Sequence, residues 1–379
     1  MAKYKLGDIV TLLNGRAYLM PELQDSGKYR ILRVGNLSGG NDSWYYSDME
    51  LDENKYCENG DLLYAWACNF GPHIWREEKV IYHYHIWKLV ENKEKVDRTY
   101  LYYYLLHQTP FYLGGVNGAT MVHITKKNME KKTVYIPSSL NVQHRIASIL
   151  STYDTLIENN AKRIRLLEKM AENLYKEWFV RFRYPGHENV EMENGLPKGW
   201  TVEKVKDWCR VFTGRKDVNQ TVEGGKYAFF SCSPNMFHSD EYIYDGKAVL
   251  IAGNGSYTGR TRYFEGKFDL YQRTYAVVSD RPDDDFMFYL FLRFKYDFEP
   301  LHNGGTRGSA IPYIVMKDIT KYKFLYDTDI VKCYTERVKP MFDEIDNLQH
   351  QNSLLARQRD LLLPRLMSGK LEVKEELLE

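Results

Sequence analysis

The chain has 379 residues, 44% of them hydrophobic, which is enough apolar mass for two or three domains with ordinary cores. Its 52 Lys and Arg against 51 Asp and Glu leave a net charge of +1, which argues against a protein that coats nucleic acid through uniform positive charge and leaves room for local basic patches. No run of about eighteen apolar residues occurs, and Met1-Ala2-Lys3-Tyr4-Lys5 lacks the apolar core of a secretory signal, so the expectation is a cytoplasmic chain with no membrane association.

Taken in order, residues 1–139 read as an α+β domain. Strands are predicted at 28–34, 61–66 and 79–89, separated by Gly- and Asn-rich turn signals. A helix is predicted at 97–108, where Leu101, Tyr104, Leu105 and Gln108 share one face. The pattern changes over 140–181. Ile146, Leu150, Tyr153, Ile157, Asn160, Ile164, Leu167, Ala171, Leu174 and Trp178 step by four and three, a coiled-coil seam with one polar position. A helix of about 32 residues at 1.5 Å each is roughly 48 Å long, a spacer rather than a core element.

Residues 182–196 carry turn and breaker residues and read as a linker. The second head, 197–327, has predicted strands at 226–231, 248–252, 262–264 and 273–278 and a helix at 286–295. Over 328–369 the heptads resume, with Ile345, Leu348, Asn352, Leu355 and Leu362 in the seam and again one Asn among them. Pro340 is expected to kink this helix or restart it, and the tail 370–379 to fray.

The chain therefore reads twice. Leu6-Gly7-Asp8-Ile9 returns as Val205-Lys206-Asp207-Trp208, and each Asp is followed seven residues later by a Gly-Arg pair, Gly15-Arg16 and Gly214-Arg215. Further on, Gly118, Ile124 and Asn128-Met129 reappear as Gly308, Ile314 and Asp318-Ile319 before each long helix. Two helices that each follow their own head and carry one polar seam residue are natural antiparallel partners. Two equivalent heads at a fixed spacing suit a two-part target, of which nucleic acid is the obvious polymer.

Several motifs resemble the specificity (S) subunit of type I restriction-modification systems. They are Ile136-Pro137-Ser138-Ser139-Leu140-Asn141-Val142-Gln143-His144-Arg145-Ile146-Ala147 at the join of head and helix, Leu174-Tyr175-Lys176-Glu177-Trp178-Phe179, Leu196-Pro197 with Gly199-Trp200, and Arg359-Asp360-Leu361-Leu362-Leu363-Pro364-Arg365-Leu366. The chain departs from the family's pattern at Ser138-Ser139, where two prolines are usual, and at Val142, where Glu is usual. The resemblance implies an α+β fold with two similar target recognition domains separated by two long antiparallel coiled-coil helices, a pseudo-twofold internal repeat. It also implies a non-catalytic subunit that binds double-stranded DNA at a bipartite site, docks two methyltransferase (M) subunits on its helices and is joined by restriction (R) subunits. S-adenosylmethionine would belong to the M subunits, and ATP and Mg²⁺ to the R subunits.

Side chains with nucleic-acid chemistry cluster in Gly- and Asn-rich segments. In the first head these are Arg16 with Tyr18, Asn69 with His73, and Asn117 with Thr120. In the second they are Arg215 with Lys216, Asn254, Ser256, Tyr257 and Arg260, and Asn303, Thr306, Arg307 and Ser309. Arg and Asn form paired hydrogen bonds to base edges, whereas Lys, Ser and backbone amides mostly position phosphates. The glycines flanking Ser256-Tyr257-Thr258 are expected to let backbone amides approach phosphates.

Other chemistry is sparse. Five scattered cysteines with no Cys-x-x-Cys pair indicate neither a disulfide framework nor a thiolate zinc site. His83-Tyr84-His85 reads as a strand of alternating rings rather than a metal site. Asp245, Glu265 and Lys267 are the nearest approach to a metal-dependent nuclease, but Asp245-Gly246 and Glu265-Gly266 read as hairpin turns. The alternatives left open are that nuclease and a coiled-coil scaffold whose heads bind protein.

Overall fold

The first head opens with Ala2–Lys5, which pairs antiparallel with Thr133–Ile136 so that the segment's start and end are tied together. Leu6, fully buried, anchors the single turn Leu6–Asp8, and Val10–Asn14 follows with alternate residues inside. Val10–Asn14, Ile86–Glu91, Leu62–Ala65 and Gly71–Ile74 form one four-stranded sheet, and Tyr45–Ser47, Tyr29–Leu32, Val80–Tyr82 and Tyr56–Cys57 form another. Helix Arg98–Leu113 lays Tyr100, Leu101, Tyr104 and Leu105 against Leu62, Tyr64 and Trp87 of the first sheet. Gln108 of the predicted face is only half-buried. This is the computed structural model of the chain, and it describes residues 1–37, 43–67, 70–113, 124–279, 281, 284–303 and 311–373.

One predicted strand is two. The run over 79–89 breaks into Val80–Tyr82 and Ile86–Glu91, because the chain leaves one sheet and enters the other through a turn at His83-Tyr84-His85. Those rings therefore sit on a turn and not along a strand.

The second head repeats the order. Thr201–Lys204 pairs with Lys323–Tyr326, Val205 anchors the turn Val205–Trp208, and Arg210–Thr213 follows. A six-stranded sheet runs in the order Arg210–Thr213, Thr274–Val278, Tyr244–Ala252, Thr261–Leu270, Tyr227–Phe230, Met236–Ser239. Its long hairpin, Tyr244–Ala252 against Thr261–Leu270, does the work of four short strands in the first head. The parallel pairs correspond too: Phe230 opposite Leu270 in one head, Leu32 opposite Tyr82 in the other.

The expected turns at Asp245-Gly246 and Glu265-Gly266 are not turns. Gly246 faces Gly266 in mid-ladder, with φ of 140° and 125°, and Asp245 opposes Lys267 while Lys247 opposes Glu265. Glycine followed or preceded by a carboxylate is a turn signal in isolation. Here two glycines meet across the strands, and their freedom at positive φ bends the ladder where the first head breaks it altogether.

The helices are longer than the seam required: Leu140–Tyr175, continued by a wider turn over Lys176–Val180, and Thr328–Met367. Every seam residue named above on the first helix is buried or half-buried, and so are Ile345, Leu348, Asn352, Leu355 and Leu362 on the second. The second helix does not restart at Pro340, which lies on its exposed face, where solvent can replace the donor that proline lacks. Gly369, at φ 71°, closes it, with Leu371 N donating to Arg365 O.

The chain divides into two compact units, Met1–Asn160 with His350–Glu379, and Ala161–Gln349. The first holds the first head, the start of the first helix and the end of the second. Ile146, Ala147 and Leu150 share a core there with Leu363, Leu366 and Met367. Asp154 accepts from Arg359 Nη1 at 2.5 Å and from the Tyr103 hydroxyl, and Asn160 Nδ2 donates to Asn352 Oδ1 at 3.0 Å. The second unit holds the second head and the remaining helical segments. Ala171, Tyr175, Trp178 and Phe179 pack with Val331, Tyr334 and Val338, and Arg163 donates to Glu344 at 2.6 Å. In both units these partners run antiparallel. The segment after the first helix is no loose linker: Tyr184 is buried and stacks on Trp200. Among the described residues no helix is long and apolar enough to cross a membrane.

Candidate nucleic-acid interface

In each head the repeated glycine permits a close backbone approach. A Cβ on Gly15 would lie 2.4 Å from the carbonyl oxygens of Tyr82 and His83, and one on Gly214 would lie 1.8 Å from that of Leu270. With no side chain there, Arg16 bridges His83 and Lys216 bridges Tyr271, both in parallel sense. A third segment joins the same edge. Trp66 N donates to His85 O in the first head, and Gly253 N donates to Arg273 O in the second. Ile124 N and Ile314 N then donate to Trp66 O and Gly253 O. The topology thus brings three segments together twice, around residues 15–18, 66–73 and 83–85, and around 214–216, 253–260 and 271–273.

The side chains on these edges divide by partner. Arg16 is held by Glu22, Nη2 to Oε1 at 2.7 Å and Nη1 to Oε2 at 3.0 Å, and its hydrogen bond with Glu22 raises its pKa while lowering that of the carboxyl. Tyr18 packs inward against the Ile31, Tyr56 and Ile81 cluster, and burial raises the pKa of its hydroxyl. Lys216 lies 2.7 Å from Asp269 and 2.9 Å from Glu241. Asp269 is only 4% exposed and also accepts from Ser239 Oγ at 3.0 Å. Arg16 and Lys216 therefore brace their edges, whereas the neighbouring Arg215 is exposed.

The loop over 254–260 presents Ser256 and Tyr257 at its tip, Tyr257 being 45% exposed. Four of its amides are already bonded within the protein. Gly255 N donates to Pro312 O, Thr258 N to Gly255 O, Gly259 N to Ala252 O and Arg260 N to Tyr257 O, because the two positive-φ glycines fold the loop back on itself. Asn254 is half-buried and Asn303 exposed. Asn69, Asn117, Thr120, Thr306, Arg307 and Ser309 lie outside the described residues.

Ladder register shows which positions correspond. Leu63 opposes His73 and Leu250 opposes Arg262, so His73 matches Arg262, with Gly71 matching Arg260. His73 is half-buried, and burial lowers its pKa, so it is neutral at pH 7. Sequence reasoning did not single out Arg262, whose strand position says nothing about what it faces. Nor did it select Arg33, whose guanidinium lies 4.4 Å from the Tyr45 ring centroid, or place the His83-Tyr84-His85 turn on this edge. Burial, then His85 and Arg33, push the His83 pKa down to about 4.

The nuclease candidates are ordinary ladder partners. Lys267 Nζ lies 4.0 Å from Asp245 Oδ2, and Glu265 sits opposite Lys247. Among the described residues no group of three or more His, Cys, Asp or Glu is placed to hold a metal ion.

Comparison with known proteins gives the arrangement its family. Residues 1–169 and 197–325 match the type I restriction modification DNA specificity domain, one copy for each head. The chain belongs to the type I restriction-modification specificity family. It is similar to the type I restriction enzyme MjaIX specificity subunit of Methanocaldococcus jannaschii, 28% identical over 75% of this chain and 71% of that one. The MjaVIII specificity subunit of the same organism is 24% identical over 98% of this chain and 92% of its own. The fold is shared with the crystal structure of the S subunit of a type I restriction-modification system from M. genitalium, at a TM-score of 0.67 over 96% of this chain and 95% of that one, with 17% identity. As a specificity subunit, the chain has two sheet-rich heads and two long helices with antiparallel partners, the layout its sequence led us to expect.

Proposed function

We propose that this chain reads a bipartite site on double-stranded DNA, each head contacting one half, in the cytoplasm and in the service of host defence. The two long helices set the gap between the half-sites and seat two methyltransferase subunits, and restriction subunits complete the nuclease. The chain contributes recognition and no catalytic group. S-adenosylmethionine is bound by the methyltransferase partners, which methylate adenine, and ATP and Mg²⁺ by the restriction partners.

The observation that carries this reading is the duplication itself. One topology, one close-packed glycine and one three-segment edge occur twice in a chain whose helices share a matched Asn pair. The test is co-expression with the cognate methyltransferase subunits, followed by sequencing of methylated adenines. A single split motif with a fixed gap is expected, and exchanging 197–327 for the second head of another specificity subunit should change one half-site only. Change in both half-sites, or no split motif, would refute the proposal.

A further inference from the structure

Several cations of the second unit are matched with carboxylates. Lys198, Lys206, Lys216, Lys267 and Arg293 each lie within 4.0 Å of one. Arg260 and Arg262 are different. Arg260 Nη2 donates to Ser233 O at 2.8 Å and Arg262 Nη2 to Pro234 O at 2.5 Å, and among the described residues neither has a carboxylate partner. Glu168, Glu265, Asp343 and Asp346 line the same open groove beyond ion-pair reach.

Each guanidinium is also steadied by a ring, Arg260 by Tyr257 at 5.3 Å and Arg262 by Phe230 at 5.0 Å. Arg260 at the end of the 254–260 loop and Arg262 in Thr261–Leu270 line the same groove. Burial, reinforced by Arg260, lowers the Arg262 pKa. Two half-buried like charges with no carboxylate within ion-pair distance carry a desolvation and repulsion cost that an electronegative ligand would relieve. A carbonyl and a ring fix the plane of each fork, whereas a phosphate can be met from many directions. A planar acceptor pair such as O6 and N7 of guanine matches a fixed fork.

We propose that Arg260 and Arg262 are specificity-determining residues of the second head, each presenting its guanidinium to a guanine edge in the major groove. The assignment rests on the DNA-specificity reading above. The first head carries Gly71 and neutral His73 at the matching positions, so it does not read its half-site in this way.

The experiment is the methylated-adenine motif of the full chain with its methyltransferase subunits, for wild type, R260Q, R262Q, R260K and R262K. The wild-type second half-site should contain guanine. Each Gln variant should accept another base at one position of that half-site, losing roughly 5- to 150-fold discrimination, the worth of one bidentate contact. The first half-site and the gap should not change. The Lys variants keep the charge and stem and should relax the same positions, which carries the test if a Gln variant fails to co-purify with its partners. A uniform fall in methylation with the motif intact would mean phosphate contact and overturn the assignment. So would unchanged discrimination in both Lys variants, or a second half-site without guanine. A wild-type complex with no split motif would overturn the specificity reading and this assignment together, whereas an intact motif insensitive to every substitution overturns the assignment alone.

Discussion

Asn160 and Asn352 offer a test in which a single and a double substitution should move stability in opposite directions. Asn160 is 8% exposed, its Nδ2 donates to Asn352 Oδ1 at 3.0 Å, and Asn352 Nδ2 donates to Ile157 O at 3.4 Å. Replacing Asn160 alone by Leu removes the shorter bond and leaves the Asn352 carbonyl oxygen facing a hydrocarbon. Orphaning a buried polar group costs ~1–3 kcal/mol, partly offset by leucine burial, so a net loss of about 1–2 kcal/mol is expected. Changing both residues to Leu removes the orphan and extends the apolar seam, and the double variant should exceed wild type by ~1–2 kcal/mol. Urea denaturation of the full chain measures the cycle. The methylated motif reports register: with the polar pair gone, the gap should lose its single value. Singles that add in the double to within ~0.5 kcal/mol would refute the reasoning, because independent sites add.

Gly214→Ala should unfold the second head, since no small adjustment accommodates a Cβ 1.8 Å from Leu270 O. Gly255→Ala, with φ of 82° and nothing within 4 Å of the new atom, should cost only ~1 kcal/mol, and equal losses in the two variants would contradict the geometry. Lys216→Met should destabilise the second unit by about 3 kcal/mol by leaving Asp269 buried without its cation, yet leave the salt dependence of DNA binding unchanged. Arg215→Ala should do the reverse, with stability held and the slope of log K against log salt reduced by about 1 if it meets a phosphate. His83 should titrate near 4 in an NMR experiment. Its folded pKa is depressed from 6.5, so its contribution to stability is complete above that value and is lost as pH falls towards 4, and a midpoint at 6.5 would exclude the half-buried ring.

The duplication, the helices and the pairing of their polar positions were legible in the sequence because each rests on local periodicity. Period-3.5 seams name their own partners, and Asn160 and Asn352 found each other because a polar group in an apolar seam is costly alone. The framework glycines were legible for a related reason: Gly15 and Gly214 recur because nothing larger fits. The candidate edges were legible as segments but not as side chains. Arg16 and Lys216 carry the right chemistry, yet Glu22 and Asp269 claim them, and those partners lie 6 and 53 residues away along the chain. The Gly246–Gly266 pairing and the equivalence of Arg262 with His73 depend on strand register, which is set when two sheets bury their faces, and no local pattern encodes it. Short-range periodicity determined what the elements of this protein are. Which arginines remain without a carboxylate partner was decided only when distant strands met.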